Sequence, residues 1–123
     1  MAAEKQFENE IKKFLYQQNC WLLKYWGGGG YTKSGIPDLL ICCNGRFVAV
    51  EVKAKTGEPS MLQLVTLKRI TESCGVAVLL YPDDFDRFKD MIRAIWAARE
   101  SEISRHKMYF ASKINQELLR RTK

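Results

Sequence analysis

Two acids and a lysine are spaced in this chain so that a β-hairpin would bring them to one place. Asp38 opens one apolar run, and Glu51 and Lys53 close the next one. Between the runs stands Asn44-Gly45, the dipeptide most typical of a two-residue type I′ turn. A turn at this point fixes the strand register, which sets Asp38 opposite Glu51. Because side chains alternate along a strand, Lys53 returns to the face that carries Glu51.

Two carboxylates held face to face repel each other unless a cation lies between them. Their Cβ atoms would be roughly 5 Å apart, and at an effective dielectric constant of about 20 the repulsion is on the order of 3 kcal/mol. A divalent cation would turn this repulsion into ligation, and Mg²⁺ typically binds one or two carboxylates together with waters and phosphate oxygens. A lysine beside it would orient an attacking water or stabilise charge on a phosphoryl group. The alternative is that Asp38 merely follows Pro37 in a turn, while Glu51 and Lys53 lie on a solvated edge.

A third acid can come from the first helix. Residues 4 to about 18 have apolar side chains at helical spacing, which predicts an amphipathic helix. Glu8 and Glu10 lie at opposite edges of its apolar stripe, so that one of them can face the hairpin when the helix packs on the sheet. The pattern does not choose between the two. The alternative is that both acids face solvent, where they also suit the helix dipole.

A glycine-rich segment leads into the strand of Asp38. Residues 21–26 read as a short strand, and Gly27 to Gly30 follow it. Four consecutive glycines do not hold one conformation without outside contacts. One interpretation is a mobile flap whose Lys33, Ser34 and backbone N–H groups contact phosphates. The other is a plain flexible connection.

A second helix is predicted from Glu58 to about Ser73. Ser60 and Gln63 have the spacing of a capping box, in which each side chain bonds the backbone N–H of the other residue. In the alternative interpretation, Gln63 faces the site and bonds a phosphate or a metal-bound water. Gly75 is expected to end this helix at position C′. The buried side of the helix is predicted to comprise Met61, Leu64, Val65 and Lys68.

The rest of the chain reads as one strand and two helices. Residues 76–81 are apolar throughout, which predicts a strand buried on both faces and parallel to the strand of Glu51. Pro82-Asp83-Asp84 is expected to cap a helix from about Phe85 to Arg99, whose buried side is predicted to comprise Phe88, Ile92, Ile95 and Trp96. A further helix over 101–121 has a narrow apolar stripe, and it either packs on its own domain or meets a second subunit.

The composition is that of one globular domain. At 123 residues the chain fits a single domain over 1–123, with a core over about 4–81 and a helical extension over about 84–121. No apolar run reaches the roughly 20 residues that cross a bilayer, and no signal peptide is evident, so we expect a cytoplasmic protein with no membrane contact. The four cysteines are expected to be reduced and mostly buried, and His106 to lie at the surface. The net charge of +6 fits a polyanionic partner.

The motif residues resemble those of the PD-(D/E)xK nuclease superfamily. The resemblance rests on Ser34-Gly35-Ile36-Pro37-Asp38, on the strand that ends in Glu51-Val52-Lys53, and on Gln63. Within the superfamily, the chain most resembles stand-alone virus-type replication-repair nuclease (VRR-NUC) domains and is also similar to archaeal Holliday-junction resolvases. Over residues 4–81, the resemblance implies an α/β, restriction-endonuclease-like αβββαβ core, in which helices flank a mixed central sheet. The C-terminal helices are added to this core.

The resemblance also implies a role for each motif residue. Asp38 and Glu51 would bind Mg²⁺ or Mn²⁺ with the Val52 backbone carbonyl, and the resemblance favours Glu8 over Glu10 as the helix acid of the metal site. Lys53 and Gln63 would complete the catalytic set. The residues expected to contact DNA are Lys33, Ser34 and Lys55.

The activity implied is that of a metal-dependent endonuclease that cuts branched DNA, such as a Holliday junction. A homodimer is implied as well, acting in DNA recombination and repair in a bacterial, archaeal or viral setting. One alternative is a general or restriction-type nuclease of duplex DNA. Another is a DNA-binding module that has the same fold and does not cleave.

Overall fold

The computed structural model describes residues 2–26 and 35–122, which form a four-stranded mixed sheet with helices on both faces. The strands lie in the order β1-β2-β3-β4, with antiparallel pairs β1–β2 and β2–β3 and a parallel pair β3–β4. The predicted α/β fold with a restriction-endonuclease-like core is thereby confirmed. In chain order the elements are α1 (Ala2–Gln17), β1 (Trp21–Lys24), β2 (Leu39–Cys43), β3 (Arg46–Val52), α2 (Met61–Glu72), β4 (Val76–Leu80), a 3₁₀ turn (Pro82–Asp84), α3 (Phe85–Trp96) and α4 (Glu100–Arg121).

The hairpin of β2 and β3 has the turn that its sequence predicts. Asn44 and Gly45 have φ angles of +49° and +79°, and two positive φ angles in succession define a type I′ turn. Cys43 therefore pairs with Arg46, and the ladder continues in register to Leu39. Cys42 is exposed and Cys43 is buried, as neighbours on opposite faces must be.

Each face of the sheet packs on its own pair of helices. Val48, Val50 and Val52 point to the face that α1 and α3 cover, and this side forms the larger core. The other face packs on α2 and α4 through a smaller cluster, which comprises Leu64, Leu67, Ala77, Leu79 and Ile114. Every residue of β4 is buried, as its apolar sequence predicts. Burying a large aliphatic side chain contributes about 1.5–3 kcal/mol, so the two clusters stabilise the packing of the helices on both faces of the sheet.

Helix α2 differs from its prediction in two respects. Its buried residues are Leu64 and Leu67, whereas the side predicted to be buried through Met61, Val65 and Lys68 is exposed. Position C′ is occupied by Cys74, whose φ is +69°, and not by Gly75.

Gly75 is needed because of a close approach, not for its φ angle. Its backbone N–H donates to the Ile70 carbonyl at 3.0 Å, which completes the hydrogen-bonded end of α2. A Cβ atom at Gly75 would lie 2.9 Å from Cγ2 of Ile70 and 3.3 Å from the Phe47 ring. A side chain there would push α2 away from β3.

The C-terminal helices pack on their own domain. Helix α4 contacts α2, α3 and β4, which decides between the two interpretations of its apolar stripe. Asp84 does not cap α3 with its side chain. It is buried instead, and it accepts hydrogen bonds from Tyr109 Oη at 2.8 Å and Lys113 Nζ at 2.9 Å. Asp84 occupies the N-cap position of α3, as predicted, but its carboxylate bonds these two groups of α4 and not the start of the helix.

Three further surface assignments need correction. His106 is buried at 8% exposure, with Nδ1 3.2 Å from Arg87 Nη1, because α4 turns it toward α3. Trp96, predicted to be buried, is 41% exposed. Only two of the four cysteines, Cys20 and Cys43, are buried. None of the helices in the described ranges is long and apolar enough to cross a membrane.

Candidate active site

The three charged groups of the hairpin lie together at the open end of β3. Asp38 stands one residue beyond the last β2–β3 pair, and its Oδ2 accepts a hydrogen bond from the backbone N–H of Val52 at 2.8 Å. This bond continues the pairing and sets the Asp38 carboxylate beside Glu51. Lys53 Nζ lies 3.3 Å from Glu51 Oε2. The structure therefore brings Asp38, Glu51 and Lys53 to one place, as the strand register predicts.

Glu51 is the most buried charged residue of the site. It is 1% exposed, its Oε2 accepts a hydrogen bond from Gln63 Nε2 at 2.9 Å, and its Oε1 has no hydrogen-bond partner among residues 2–26 and 35–122. Burial raises the pKa of Glu51 to about 8, and the charge of Asp38 adds to this effect while Lys53 opposes it. Removal from water, more than repulsion between the two acids, is thus the main cost of the ionised carboxylate. The orphaned oxygen marks a position where a cation would be favourable.

Gln63 forms the predicted capping box and also faces the site, while its bond to a phosphate or a metal-bound water stays a prediction. Its backbone N–H donates to Ser60 Oγ at 3.1 Å, and its side-chain Oε1 accepts from the Ser60 backbone N–H at 2.8 Å. The amide nitrogen of the same side chain remains free to donate to Glu51. Because an amide carries both an acceptor and a donor, the two interpretations of Gln63 do not compete. The residue couples the start of α2 to the site.

The structure distinguishes Glu8 from Glu10. Glu10 is exposed, whereas Glu8 is buried at 5% exposure on the side of α1 that faces the sheet. Glu8 Oε1 accepts a hydrogen bond from Lys24 Nζ at 2.7 Å, and Lys12 Nζ lies 3.4 Å from Oε2. Burial raises the pKa of Glu8, but the two lysines outweigh burial and leave that pKa below its usual value.

Lys24 is the residue of this region that sequence reasoning missed. Its Nζ lies between two acids, 2.7 Å from Glu8 Oε1 and 3.5 Å from Asp38 Oδ1. Burial lowers the pKa of Lys24, but Glu8 and Asp38 raise it above its usual value. A sequence signal existed, since Lys24 ends a strand that must pair with the strand of Asp38.

The donor set fits a divalent cation at the hairpin. Asp38 and Glu51 supply two neighbouring carboxylates, one with an unpartnered buried oxygen, and oxygen donors are the ligands that Mg²⁺ and Mn²⁺ prefer. Over residues 2–26 and 35–122, no three His, Cys, Asp or Glu side chains are grouped closely enough to share an ion. Glu8 is held apart from the pair by Lys24.

Of the three residues predicted to contact DNA, only Lys55 lies within the described part of the chain. Lys55 is exposed in the turn after β3. Lys33 and Ser34, together with the flap predicted over Gly27–Gly30, fall outside the described residues. The backbone carbonyl of Val52 stays a predicted ligand.

The fold and the site together define a class of protein. An α/β sheet with Asp at the start of one strand and Glu-x-Lys at the end of its antiparallel neighbour is the arrangement of the restriction-endonuclease-like PD-(D/E)xK nucleases. The family model for the archaeal Holliday junction resolvase (Hjc) matches residues 2–78, and the chain belongs to that family. Members of this family are structure-specific endonucleases that use divalent metal ions.

The family match covers only part of the chain. It begins in α1 and ends within β4, so α3 and α4 lie outside it. It is a match to the resolvases, and the closer resemblance to VRR-NUC domains stays a prediction. No curated protein and no solved structure matches the chain.

Proposed function

We propose that this protein is a Mg²⁺- or Mn²⁺-dependent endonuclease that hydrolyses phosphodiester bonds in branched DNA, such as a Holliday junction, during recombination and repair. The family supports the reaction class. The observation that carries the metal dependence is Glu51 Oε1, a buried carboxylate oxygen without a partner beside a second carboxylate. A buried acid in this state stays protonated at neutral pH unless a cation compensates its charge.

Asp38 and Glu51 would hold the cation, with the Val52 carbonyl and Glu8 as further candidate ligands. When bound, the cation would supply positive charge to the phosphate under attack and to the leaving oxygen. Glu8 would take part only after Lys24 gives up its position between Glu8 and Asp38. The first two ligands are therefore the core of the proposal.

Lys53 and Gln63 would prepare this site. The Lys53 side chain is only 12% exposed, and its ammonium group is 3.3 Å from Glu51 Oε2. It would orient an attacking water or stabilise charge on a phosphate oxygen. Gln63 holds the same Oε2 and leaves Oε1 open, so it would position Glu51 without contacting the substrate. Lys33, Ser34 and Lys55 would bind the DNA backbone.

A homodimer is part of the proposal, because two symmetric sites suit paired cuts in a symmetric junction. In the part of the chain that the structure describes, no helix covers part of the sheet face beside α2, and apolar side chains are exposed there. They are Trp21 at 62%, Leu23 at 48%, Phe47 at 44% and Leu62 at 50%. Together these residues offer an apolar area on the order of several hundred Å², against about 800 Å² per partner in a typical stable interface. Light scattering of wild type against Leu23→Glu tests this surface: a dimer that becomes a monomer supports it, and an unchanged mass contradicts it.

The activity is tested by incubating a four-way junction and its component duplexes with the protein in Mg²⁺. We expect the junction to be cut and the duplexes to remain intact. Asp38→Asn should abolish cutting, whereas Asp86→Asn, a change of an exposed acid in α3, should not. Equal cutting of junction and duplex would instead indicate a general or restriction-type duplex nuclease. Junction binding without any cutting would indicate a non-cleaving module.

A further inference from the structure

An exposed indole stands next to the candidate active site and has no role in the proposed chemistry. Trp26 is 70% exposed, the most exposed aromatic side chain in the described residues. Full exposure of so large an apolar ring has a hydrophobic cost. Within residues 2–26 and 35–122 no packing accounts for this exposure, since the ring belongs to neither apolar cluster.

The ring is fixed beside the strand of Asp38. The backbone N–H of Tyr25 donates to the Asp38 carbonyl at 2.8 Å, which extends the β1–β2 pairing beyond Lys24 and holds the residue before Trp26 against Asp38. Lys24 Nζ lies 5.4 Å from the centre of the Trp26 ring and 3.5 Å from Asp38 Oδ1. Because both distances start at Lys24 Nζ, the centre of the Trp26 ring lies within about 9 Å of Oδ1 of Asp38, a proposed metal ligand.

The surroundings of the ring are cationic. Lys5 Nζ also lies 5.4 Å from the ring centre, and Lys5 and Lys24 both neighbour Glu8. Lys24 is paired with Glu8 and Asp38 and lies beside the ring without a free ammonium group. The Lys5 side chain is 55% exposed, so its ammonium group and the open ring offer contacts to a phosphate and to a flat π system in the same place. A nucleotide has both of these groups. An aliphatic surface of a partner protein has neither a phosphate nor a flat π system.

We infer that Trp26, with Lys5 and Lys24, forms a subsite that stacks on a nucleobase of the DNA substrate and so distinguishes branched from continuous duplex DNA. A base inside a continuous duplex is stacked on both faces and cannot take a third ring without being flipped out. A base at a branch point or strand end can offer a free face. The subsite therefore favours DNA whose stacking is interrupted close to the phosphate to be cut.

This inference rests on the proposed nuclease function only for the choice of substrate, and binding alone tests it. Metal-free full-length protein would be titrated with a four-way junction that carries 2-aminopurine at the branch point, with a duplex of matched sequence, and with a single strand. Trp26→Ala should weaken junction and single-strand binding about tenfold or more, the typical loss when a base-stacking ring is removed. The affinity for the duplex should change less than about twofold, because the bases of a continuous duplex offer no free face to the ring.

Two further variants separate stacking from general damage. Trp26→Phe keeps a ring and should recover most of the binding. Trp96→Ala removes another exposed indole, 41% exposed, from the end of α3 that contacts the Asn44-Gly45 turn, and it should leave the junction affinity unchanged. In the wild-type complex the 2-aminopurine fluorescence should be quenched more strongly than in the Trp26→Ala complex.

The results have distinct meanings. Equal weakening of junction and duplex by Trp26→Ala, or no weakening of either, overturns the stacking subsite. If wild type itself does not prefer the junction over the duplex, the branched-DNA function fails. The single-strand titration then still decides the subsite, because loss of affinity in Trp26→Ala supports it and unchanged affinity refutes it.

Discussion

Gln63 Nε2 donates a hydrogen bond to Glu51 Oε2 at 2.9 Å, while Gln63 Oε1 accepts the backbone N–H of Ser60 at 2.8 Å. One side chain thus joins the N-terminus of α2 to the most buried acid of the candidate active site. The orientation of Glu51 therefore depends on the position of the N-terminus of α2, which the capping box stabilises. Two variants can separate the contribution of Gln63 to the stability of α2 from its contribution to the orientation of Glu51.

Gln63→Ala and Ser60→Ala should differ in their effect on activity. Both break the capping box, which costs about 0.5–2 kcal/mol of stability. Only Gln63→Ala also releases Glu51, and loss of a residue that orients a ligand typically lowers metal affinity or activity 10- to 100-fold. Chemical denaturation and cleavage rates on the two variants make the comparison. Equal loss of cleavage in both would show that Gln63 acts only through the helix.

Asp38→Asn should remove cleavage with little effect on the stability of the metal-free protein. The asparagine Oδ1 can still accept the Val52 N–H, while the ion pair with Lys24 is lost. Little repulsion is relieved, because metal-free Glu51 is protonated at neutral pH. Asp38→Ala also deprives the Val52 N–H of its acceptor, which costs about 1–3 kcal/mol. Thermal unfolding in EDTA compares the two, and equal destabilisation by Asn and Ala would contradict this account of the site.

The stability of the metal-free protein should fall as pH rises from about 4.5 to about 8. The pKa of Glu51 is about 8 in the folded chain and near 4.5 when unfolded. Between these values the folded state keeps a proton that the unfolded state releases, so alkali favours unfolding, with a total effect on the order of a few kcal/mol. Glu51→Gln should flatten this slope in denaturation curves measured across the pH range. Mg²⁺ should reduce the slope in wild type, and a slope that survives Glu51→Gln would require another group.

Lys24→Met should destabilise the protein more than Lys68→Met. The Lys24 side chain is 19% exposed and pairs with buried Glu8 and with Asp38. Its loss leaves the buried Glu8 carboxylate with the more distant ammonium groups of Lys12 at 3.4 Å and Lys5 at 4.0 Å. Breaking a buried pair costs up to about 3–5 kcal/mol. Lys68 forms a surface pair with Glu72, worth about 0.5 kcal/mol or less. Urea midpoints for both variants give the test, and equal midpoints would show that Glu8 does not depend on Lys24.

Local sequence signals were sufficient for the hairpin and for part of the site. Asn44-Gly45 determines the turn and register by itself, because the required positive φ angles suit few other residue pairs. The alternation that follows brings Asp38, Glu51 and Lys53 together without reference to the rest of the chain. The capping box of Ser60 and Gln63 is likewise a short-range pattern.

The side-chain contacts that the sequence did not predict depend on packing between elements far apart in the chain. Lys24 lies between Glu8 and Asp38 only because α1 packs against β1, and no spacing rule contains that contact. His106 is buried by the packing of α4 on α3. Asp84 bonds residues of α4 that are 25 and 29 positions away. A local cap was the reasonable expectation, and tertiary partners replaced it.

In the proposed function, Asp38 and Glu51 together hold the divalent cation on which cleavage depends. The most direct measurement is Mn²⁺ binding, followed by electron paramagnetic resonance at a pH above 8, for wild type, Asp38→Asn and Glu51→Gln. We predict saturable binding to wild type, loss of that binding in both variants, and retention of it in the control Asp86→Asn. Undiminished Mn²⁺ binding by either site variant, or no binding by the wild-type protein, would contradict the claim.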